Sequence, residues 1–363
     1  MSSPPLKKAL LAAGGTGGHM FPAQSLSEIL TEAGWGIAMI TDERGFKHTG
    51  RIQADPIVQV KAASLSPRHP IKAVSGLLKL QKGVLQARKF IRDWEPDIVV
   101  GFGGYPSFPA MRAAQALGLP TVIHEQNAVL GRVNRVFGGR ANYLASGFES
   151  LEKCPPQARH VCTGNPLRRQ IKSAAPKSYT APRDKINILI VGGSLGARII
   201  SQVMPQAIAA LPADLRTRIN VVQQTLESSL DTARQIYKNA GIAALCEPFF
   251  TDIETHLKAA HYIIGRAGAG SVSEIALMGK PSLLVPLAIA MDDHQTENAK
   301  TLSRLNAADI LPESEFTSEG VKTILERRLN DSHWLENAAN AARKAAYPNA
   351  AKDLAELVIS AAT

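Results

Sequence analysis

Short apolar runs alternate with longer segments of mixed apolar and polar residues along the whole chain. The runs in the first half are KKALLAA, GIAMIT, DIVVGFG and TVIHE, and those in the second half are INILIVGG, INVVQQ, ALCEPF, HYIIGRAG and SLLVP. Each run has the length of a strand, and the segments between them have the length of helices. This alternation is typical of βαβ units and predicts an α/β fold with parallel sheets.

The length of the chain and one polar segment predict two domains. A chain of 363 residues exceeds the usual size of a single hydrophobic core. Segment 163–185 is rich in Pro, Ser and charge and indicates a linker. We therefore predict a first domain over residues 1–163 and a second over 164–345 that begins with the linker. A last helix, about residues 346–363, is expected to pack back on the first domain.

Composition and cysteine content favour a globular protein of a reducing compartment. Hydrophobic residues make up 45% of the chain and charged residues 20%, which are ordinary values for a folded domain. Cys154, Cys162 and Cys246 have no C-x-x-C spacing, so neither a disulfide framework nor a zinc site is expected. The N-terminus has no signal-peptide pattern, and no apolar stretch reaches the roughly 20 residues that span a bilayer.

The net charge of +10 is concentrated in the first half of the chain. Segment 61–92 alone carries eight basic residues and no acidic one, which is consistent with an anionic partner there; a solvated surface is the competing explanation. No aromatic-rich RNA motif or DNA-reading module accompanies this charge, so nucleic acid is not predicted as a partner.

Doubled glycines follow three of the predicted strands. They lie at Gly14–Gly18, within Gly101–Pro109 and within Gly192–Ala197. In doubly wound sheets a glycine turn at the carboxyl end of a strand lets backbone N–H groups approach a phosphate. The first loop lacks the Lys of a P-loop, and Met20 breaks the dinucleotide pattern. Three such loops indicate a ligand that comes close to the backbone.

His19 ends the first glycine loop, just before a helix predicted to begin near Pro22. An imidazole with a pKa of about 6.5 accepts a proton at neutral pH, so His19 is a candidate general base. A polar residue that merely begins a helix is the competing explanation.

The third loop also fits G-x-S-x-G, the nucleophile elbow of α/β hydrolases, with Ser194 as nucleophile. His256, His261 and His294 follow it as possible triad members. No HGGG-type segment precedes Ser194, and an elbow does not explain the first two loops. A serine hydrolase is therefore the alternative enzyme class.

The segment GRAGAGSVSEI follows a predicted strand and leads into a helix. Ser271 and Glu274 have the S-x-x-E spacing of a capping box, which is the structural explanation. Alternatively, Glu274 accepts the hydroxyls of a ribose while Gly270 and Ser271 donate N–H groups to a diphosphate.

The polar cluster in PLAIAMDDHQTENA precedes the next predicted helix. Asp292 and Asp293 have the position of helix caps, which argues against a metal site. His294 and Gln295 have side chains that hydrogen-bond sugar hydroxyls.

Seven motifs in order resemble the MurG family, the bacterial N-acetylglucosaminyltransferases of peptidoglycan synthesis. They are GGTGGH, GGYPS, HEQNAVLGRVNR, TGNPLR, GGSLGA, RAGAGSVSEI and DDHQTENA. The resemblance implies a GT-B fold, with two Rossmann-like domains facing across a cleft. It implies an inverting transfer of GlcNAc from UDP-GlcNAc to the MurNAc 4-hydroxyl of lipid I, which gives lipid II, with no cofactor or metal. A non-catalytic nucleotide-sugar-binding protein is a further alternative.

The resemblance also implies roles for individual residues. His19 is the candidate catalytic base. Phe250 lies by the uracil, Glu274 holds the ribose, and Arg168 helps to bind the donor or to close the domains. The donor-binding residues are Thr16, Gly17, Gly18, Asn127, Arg168, Ser194, Phe250, Ala269, Gly270, Ser271, Glu274, His294 and Gln295. The acceptor-binding residues are Gly14, Gly15, Gly103, Gly104 and Tyr105.

A lipid-linked acceptor gives the basic stretch Ile71–Arg92 a further interpretation. Its mixture of leucines with lysines and arginines predicts a peripheral contact with anionic lipid at the cytoplasmic face of the cell membrane, besides packing on the sheet. Other cell-wall synthesis proteins are candidate partners. One departure from the family pattern is Phe108, which stands where a small residue is usual and puts the close backbone approach of the second loop in doubt.

Overall fold

The chain forms two compact units in a computed structural model. One unit comprises Met1–Arg168 with Asn349–Thr363, and the other comprises Arg169–Pro348. The residues that the structure describes are 6–15, 17–47, 49, 52–62, 70–193, 197–288 and 290–363.

The first unit is a parallel sheet covered by helices. Its strands are β1 (Lys8–Ala12), β2 (Gly36–Thr41), β3 (Ile57–Gln59), β4 (Ile98–Gly101), β5 (Thr121–Glu125), β6 (Tyr143–Ser146) and β7 (His160–Cys162). Its helices are α1 (Gly17–Glu32), α2 (Glu43–Phe46), α3 (Pro70–Trp94), α4 (Gly104–Ala116) and α5 (Arg132–Phe137). The strand order β3-β2-β1-β4-β5-β6-β7 is that of a doubly wound fold, with the switch point between β1 and β4.

The second unit repeats this design with one strand fewer. Its strands are β8 (Ile186–Val191), β9 (Ile219–Gln224), β10 (Ala243–Glu247), β11 (Tyr262–Gly265), β12 (Ser282–Leu284) and β13 (Ala308–Ile310). Its helices are α6 (Arg169–Ala174), α7 (Arg198–Ala209), α8 (Ala213–Arg216), α9 (Leu230–Asn239), α10 (Ile253–Ala259), α11 (Ala269–Met278), α12 (His294–Ser303), α13 (Ser318–Leu329) and α14 (Ser332–Lys344). The order β10-β9-β8-β11-β12-β13 has its switch point between β8 and β11.

All nine predicted strands are present, and the predicted α/β fold class is confirmed. Strands such as β1 and β4 read as continuous apolar runs because helices cover both faces of a parallel sheet. Leu10 and Leu11 illustrate this: their side chains enter cores on opposite faces of the sheet, and both are fully buried.

The last helix, α15 (Ala350–Ala361), belongs to the first unit and packs against α1. Leu354 and Val358 are fully buried in the same apolar cluster as Leu11 and Leu26. The first unit is therefore completed by a segment that follows the whole second unit in sequence.

Residues 164–168 lie in the first unit, although the sequence analysis assigned them to the second domain. The Nε2–H of His124 donates to the Gly164 carbonyl at 3.0 Å. The Asn165 side chain donates to the Gln126 carbonyl at 3.0 Å, and Ser25 donates to the Leu167 carbonyl at 3.2 Å. These bonds hold the segment beside the end of β5 and the middle of α1.

The remainder of the predicted linker is folded onto the second unit. It forms α6, which contacts α10 and α11. The Tyr179 hydroxyl donates to the His261 carbonyl at 3.0 Å, and Ala181 is buried in the apolar core. Segment 163–185 therefore contains the boundary between the two units, and Tyr179 and Ala181 anchor its second part to the second unit.

Candidate active site

The first glycine loop leads directly into α1, which begins at Gly17 rather than near Pro22 as predicted. Gly15 has a φ of 85°, a conformation that glycine adopts readily. Gly17, exposed Gly18 and half-buried His19 consequently form the first turn of the helix. Thr16 lies outside the described residues.

Packing against protein atoms accounts for Gly14. A Cβ at this position would lie 2.7 Å from the Pro106 side chain and 2.8 Å from a carboxylate oxygen of Asp42. The same Asp42 oxygen accepts the Gly15 N–H at 3.3 Å and the Gly45 N–H at 2.8 Å. Gly14 is thus small because Pro106 and Asp42 pack against it, and the Gly15 N–H is already bound by a carboxylate.

The second glycine loop meets His19. Gly103 and Gly104 both have positive φ, 80° and 71°, where the backbone turns from β4 into α4. A Cβ at Gly104 would lie 3.3 Å from Cε1 of His19. The structure thus brings the candidate base against the start of α4, where half-buried Tyr105 follows in the next position.

Phe108 leaves the second loop undisturbed. Its ring packs against Phe137 of α5, with a centroid distance of 5.1 Å, and both belong to the apolar cluster between the helices and the sheet. The ring is therefore directed into the unit, and the positive φ values of Gly103 and Gly104 are retained beside it.

A buried carboxylate organises the loop after β5. Glu125 is 3% exposed, and one oxygen accepts the backbone N–H and the side-chain amide of Asn127, each at 3.1 Å. The other oxygen accepts the Gly131 N–H and the Asn134 side chain, each at 2.8 Å. A Cβ at Gly103 would lie 2.9 Å from Nδ2 of Asn134. Glu125 thus connects the Asn127 loop to the second glycine loop, a role that the sequence analysis missed.

His124 precedes this carboxylate and is fully buried. Its Nε2–H donates to Gly164, so Nδ1 is the acceptor for the Gln126 side chain at 3.1 Å. Burial lowers the pKa of His124 to about 4, although the Gly164 hydrogen bond and the Glu125 charge act to raise it. The imidazole is therefore neutral at neutral pH.

Arg168 lies against Phe21 of α1. Its guanidinium carbon is 4.8 Å from the centroid of the Phe21 ring, which is 42% exposed. This cation–π contact holds Arg168 close to the helix that carries His19.

In the second unit, α11 begins at Ala269 with Gly268 at its N-cap, and no side chain caps it. The predicted capping box is wrong, because Ser271 lies inside the first turn and half-buried Glu274 lies one turn later. Ala269, Gly270 and Ser271 have the N–H groups that an α-helix leaves without helical acceptors. Ser194 lies outside the described residues.

Phe250 is 8% exposed, and its ring meets that of His256 edge-on at 4.7 Å between centroids. The neighbouring Phe249 is 68% exposed. The two adjacent rings therefore differ in role, since Phe250 is packed into the unit and Phe249 is open to contact.

His294 and Gln295 lie in the first turn of α12, and both are half-buried. Asp293 is the N-cap residue by position, and its carboxylate accepts the Thr296 hydroxyl at 2.7 Å. The Gln295 Oε1 accepts the Leu287 N–H at 3.0 Å. Both acids are predicted caps, but only Asp293 occupies the N-cap position of α12. Asp292 precedes it within the 3₁₀ turn Met291–Asp293.

Comparison with known proteins identifies the family of this chain. Residues 9–146 match the glycosyltransferase family 28 N-terminal domain, and residues 187–357 match the glycosyltransferase family 28 C-terminal domain. The chain is 48% identical over 356 residues to a UDP-N-acetylglucosamine–N-acetylmuramyl-(pentapeptide) pyrophosphoryl-undecaprenol N-acetylglucosamine transferase of Maricaulis maris, covering 97% of each chain. This chain belongs to glycosyltransferase family 28.

Two further relatives agree with this family membership. A protein of the same name from Caulobacter vibrioides is 42% identical over 97% of this chain and 98% of its own. The crystal structure of Acinetobacter baumannii MurG has a TM-score of 0.80 at 31% identity and covers 98% of this chain and 99% of that one. The predicted GT-B fold is confirmed. Family 28 membership favours glycosyl transfer over the serine hydrolase and the non-catalytic binding protein.

Proposed function

We propose that this chain transfers GlcNAc from UDP-GlcNAc to the 4-hydroxyl of MurNAc in undecaprenyl-diphosphate-linked MurNAc-pentapeptide, lipid I. The products are UDP and lipid II with a β(1→4)-linked disaccharide. The observation that carries this proposal is the 48% identity, over 97% of both chains, to a relative named as that transferase.

The donor diphosphate is assigned to the N-terminus of α11. The N–H groups of Ala269, Gly270 and Ser271 are those of the first helical turn, where the helix dipole attracts anions. The same groups stabilise the negative charge that develops on the departing UDP. Glu274, one turn later, is assigned to the ribose hydroxyls, and Phe250 to the uracil.

The donor sugar is assigned to Asn127, His294 and Gln295. In the first unit Glu125 fixes the Asn127 side chain through a bond at 3.1 Å, which supports an oriented contact. The remaining donor assignments rest on the resemblance alone and are Thr16, Gly17, Gly18, Arg168 and Ser194.

The base of the transfer is assigned to His19. The acceptor 4-hydroxyl oxygen attacks the anomeric carbon, the bond from that carbon to the diphosphate oxygen breaks, and His19 takes the hydroxyl proton. Attack opposite the departing UDP inverts an α-linked donor to a β-linked product. Gly104 lies against His19, and Gly103 and Tyr105 flank Gly104 in sequence. These three residues are assigned to the acceptor together with Gly14 and Gly15, although Asp42 already accepts the Gly15 N–H.

The reaction is tested by transfer of radiolabelled GlcNAc from UDP-GlcNAc to a lipid I analogue, with UDP-GalNAc and acceptor-free controls. We expect labelled disaccharide when UDP-GlcNAc and the lipid I analogue are both present, and none in either control. The His19→Ala variant should have a kcat lower by about 100-fold or more. An absence of product from the wild-type chain would overturn the proposed reaction. Near-normal turnover of His19→Ala at saturating substrates would remove His19 from the role of base.

We also propose that α3 contacts anionic lipid at the cytoplasmic face of the membrane. Leu77, Leu78 and Leu85 are 49%, 56% and 65% exposed. Lys79, Lys82, Arg88, Lys89 and Arg92 are exposed on the same helix. Cationic and apolar groups together favour reversible attachment to a bilayer surface. Ile71, Lys72 and Val74 have side chains outside the described part of the chain.

The packing of α3 uses other residues. Leu80, Ala87 and Ile91 are buried, and a Cβ at Gly83 would lie 2.0 Å from the Lys61 carbonyl oxygen. The exposed leucines are therefore not needed for packing on the unit. Among the described residues no helix combines the length and apolar character of a transmembrane span, α3 included.

Vesicle sedimentation tests this contact. We expect binding to phosphatidylglycerol vesicles at low salt, weaker binding at high salt, and little binding to phosphatidylcholine. Replacing Leu77, Leu78 and Leu85 by Ser should reduce binding, whereas Leu305→Ser, which changes a leucine 43% exposed in the second unit, should not. Unchanged binding of the triple variant would contradict the assignment to α3.

A further inference from the structure

The segment that follows β12 is bonded to side chains at four successive residues. The carbonyls of Val285 and Pro286 accept from Arg266 at 3.2 and 3.3 Å. The Leu287 N–H donates to Gln295 at 3.0 Å, and the Ala288 N–H donates to Glu313 at 3.2 Å. Segment 285–288 is therefore fixed by three side chains although it has no regular secondary structure.

Arg266 is the cation of this arrangement. It follows β11, is 8% exposed, and its own backbone N–H donates to the Val191 carbonyl at the end of β8. Its guanidinium donates to the two oxygens of Glu313 at 3.2 and 3.1 Å. Such a two-pronged contact fixes the plane of the guanidinium as well as its position.

Glu313 reaches this cation from the far side of the segment. It lies just beyond β13, whereas Arg266 follows β11, and the sheet order puts β12 between them. Partial burial acts to raise the pKa of Glu313, but the hydrogen bonds from Arg266 and Ala288 and the Arg266 charge outweigh it and lower the pKa. The carboxylate is charged at neutral pH and joins three neighbouring strand ends.

The same segment sets the direction of the Gln295 amide. A backbone N–H can only donate, so the atom of Gln295 that faces Leu287 is the oxygen Oε1. The amide nitrogen Nε2 therefore points away from the Leu287 N–H. This orientation makes Gln295 a hydrogen-bond donor toward a ligand.

We propose that Glu313 is a positioning residue for the donor sugar: through Arg266 and the Ala288 N–H it fixes segment 285–288, which holds Gln295 with its amide N–H groups toward a sugar hydroxyl. This inference rests on the proposed function, in which Gln295 contacts the GlcNAc of the donor. Glu313 itself touches no substrate.

Calorimetric binding of UDP-GlcNAc and of UDP tests the inference without the acceptor. Glu313→Gln should weaken the binding of UDP-GlcNAc by about tenfold, the equivalent of one well-placed hydrogen bond. The affinity for UDP should be nearly unchanged. Gln295→Glu, which keeps an acceptor for Leu287 but removes the donor, should give the same pattern. The double variant should bind UDP-GlcNAc no more weakly than either single variant, because both substitutions remove the same contact with the sugar. Glu315→Gln alters an exposed acid two positions away and serves as the control.

Each outcome of this measurement has a distinct meaning. Equal weakening of UDP and UDP-GlcNAc by Glu313→Gln, or an unchanged preference for UDP-GlcNAc, overturns the positioning role. If the wild-type chain binds UDP-GlcNAc no better than UDP, the assumed sugar contact fails, and the proposed function is then judged by the transfer assay. Should Glu313→Gln not fold, Glu313→Asp, which withdraws the carboxylate by one methylene, is expected to show the same selective loss.

Discussion

Each unit uses one carboxylate to fix a loop at the end of its sheet, but the two carboxylates have different partners. Glu125 accepts four neutral N–H groups, all from residues 127–134. Glu313 is paired with the guanidinium of Arg266 and binds one backbone N–H from a distant part of the chain. The comparison shows that a site loop can be held locally by neutral donors or across strands by an ion pair.

The largest expected effect comes from the local arrangement. Glu125→Gln replaces one carboxylate oxygen by an amide NH₂ group. The two N–H groups bound to that oxygen then face another donor in a buried site and have no acceptor. We expect a loss of about 3 kcal/mol in the free energy of unfolding of the first unit, nearly independent of salt. Hydrogen exchange of peptides from each unit, followed along a urea series, measures this loss.

Glu313→Gln sharpens the comparison. The Glu313 side chain is 25% exposed, so water can replace part of the lost hydrogen bonding. We expect the free energy of unfolding of the second unit to fall by about 1 to 2 kcal/mol, and by less at high salt. Glu149→Gln, at an exposed acid of the first unit, should have no effect. Equal losses in the free energy of unfolding for the Glu125 and Glu313 variants would mean that stability does not depend on whether the partner is a neutral N–H group or a guanidinium.

Acid should weaken the two units over different pH ranges. The native pKa of His124 is about 4, below the ordinary value of 6.5, so the unfolded chain binds the proton first as pH falls. The first unit should lose about 2 kcal/mol between pH 7 and pH 5 from this residue. The pKa of Glu313 is lowered below 4.5, so its contribution is present above that value and is lost as pH falls through the native pKa.

The pH dependence of urea unfolding in wild type and His124→Gln checks this order. The variant keeps an amide donor for Gly164 but does not titrate, so its first unit should have a flatter profile from pH 7 to pH 5. Parallel profiles would indicate that the pKa of His124 is the same in the native and unfolded states, so that burial does not lower it.

The smallest expected effect separates backbone strain from contact with the base. Gly104→Ala and Gly118→Ala both force alanine to a positive φ, 71° and 73°, at a cost of about 1 to 2 kcal/mol each. Only Gly104 has His19 within 4 Å, whereas a Cβ at Gly118 meets nothing. Gly104→Ala should therefore lower kcat for GlcNAc transfer about tenfold further than Gly118→Ala does. Similar kcat values would show that His19 tolerates displacement.

Sequence patterns predicted the parts of this fold that depend on local order. Continuous apolar runs such as those of β1 and β8 identify buried parallel strands. Strands β3, β6, β7 and β13, each of three or four residues, were not predicted. Strand β12 is equally short but was predicted, because Leu283, Leu284 and Val285 form a continuous apolar run. Glycine next to a helix start also misled the prediction, since Gly17 and Gly18 are helical although their propensity is low.

The site was predictable to a lesser degree. Asn127 could be singled out from its motif, and the bonds that hold it come from Glu125, two residues away. Glu313 gave no signal, because its partner Arg266 is 47 positions distant and meets it only through the order of β11, β12 and β13. Ion pairs between strand ends follow from topology, which spacing along the chain does not reveal.

The position of α15 also affects how the chain folds during synthesis. Leu354 and Val358 belong to the core that contains Leu11 and Leu26, so the ribosome makes the second unit before the first can close its core. Until residues 169–348 have been synthesised, α15 is not available to pack on α1, and the core of the first unit stays incomplete. Domains usually fold in order from the N-terminus, but here the unit that is begun first is finished last.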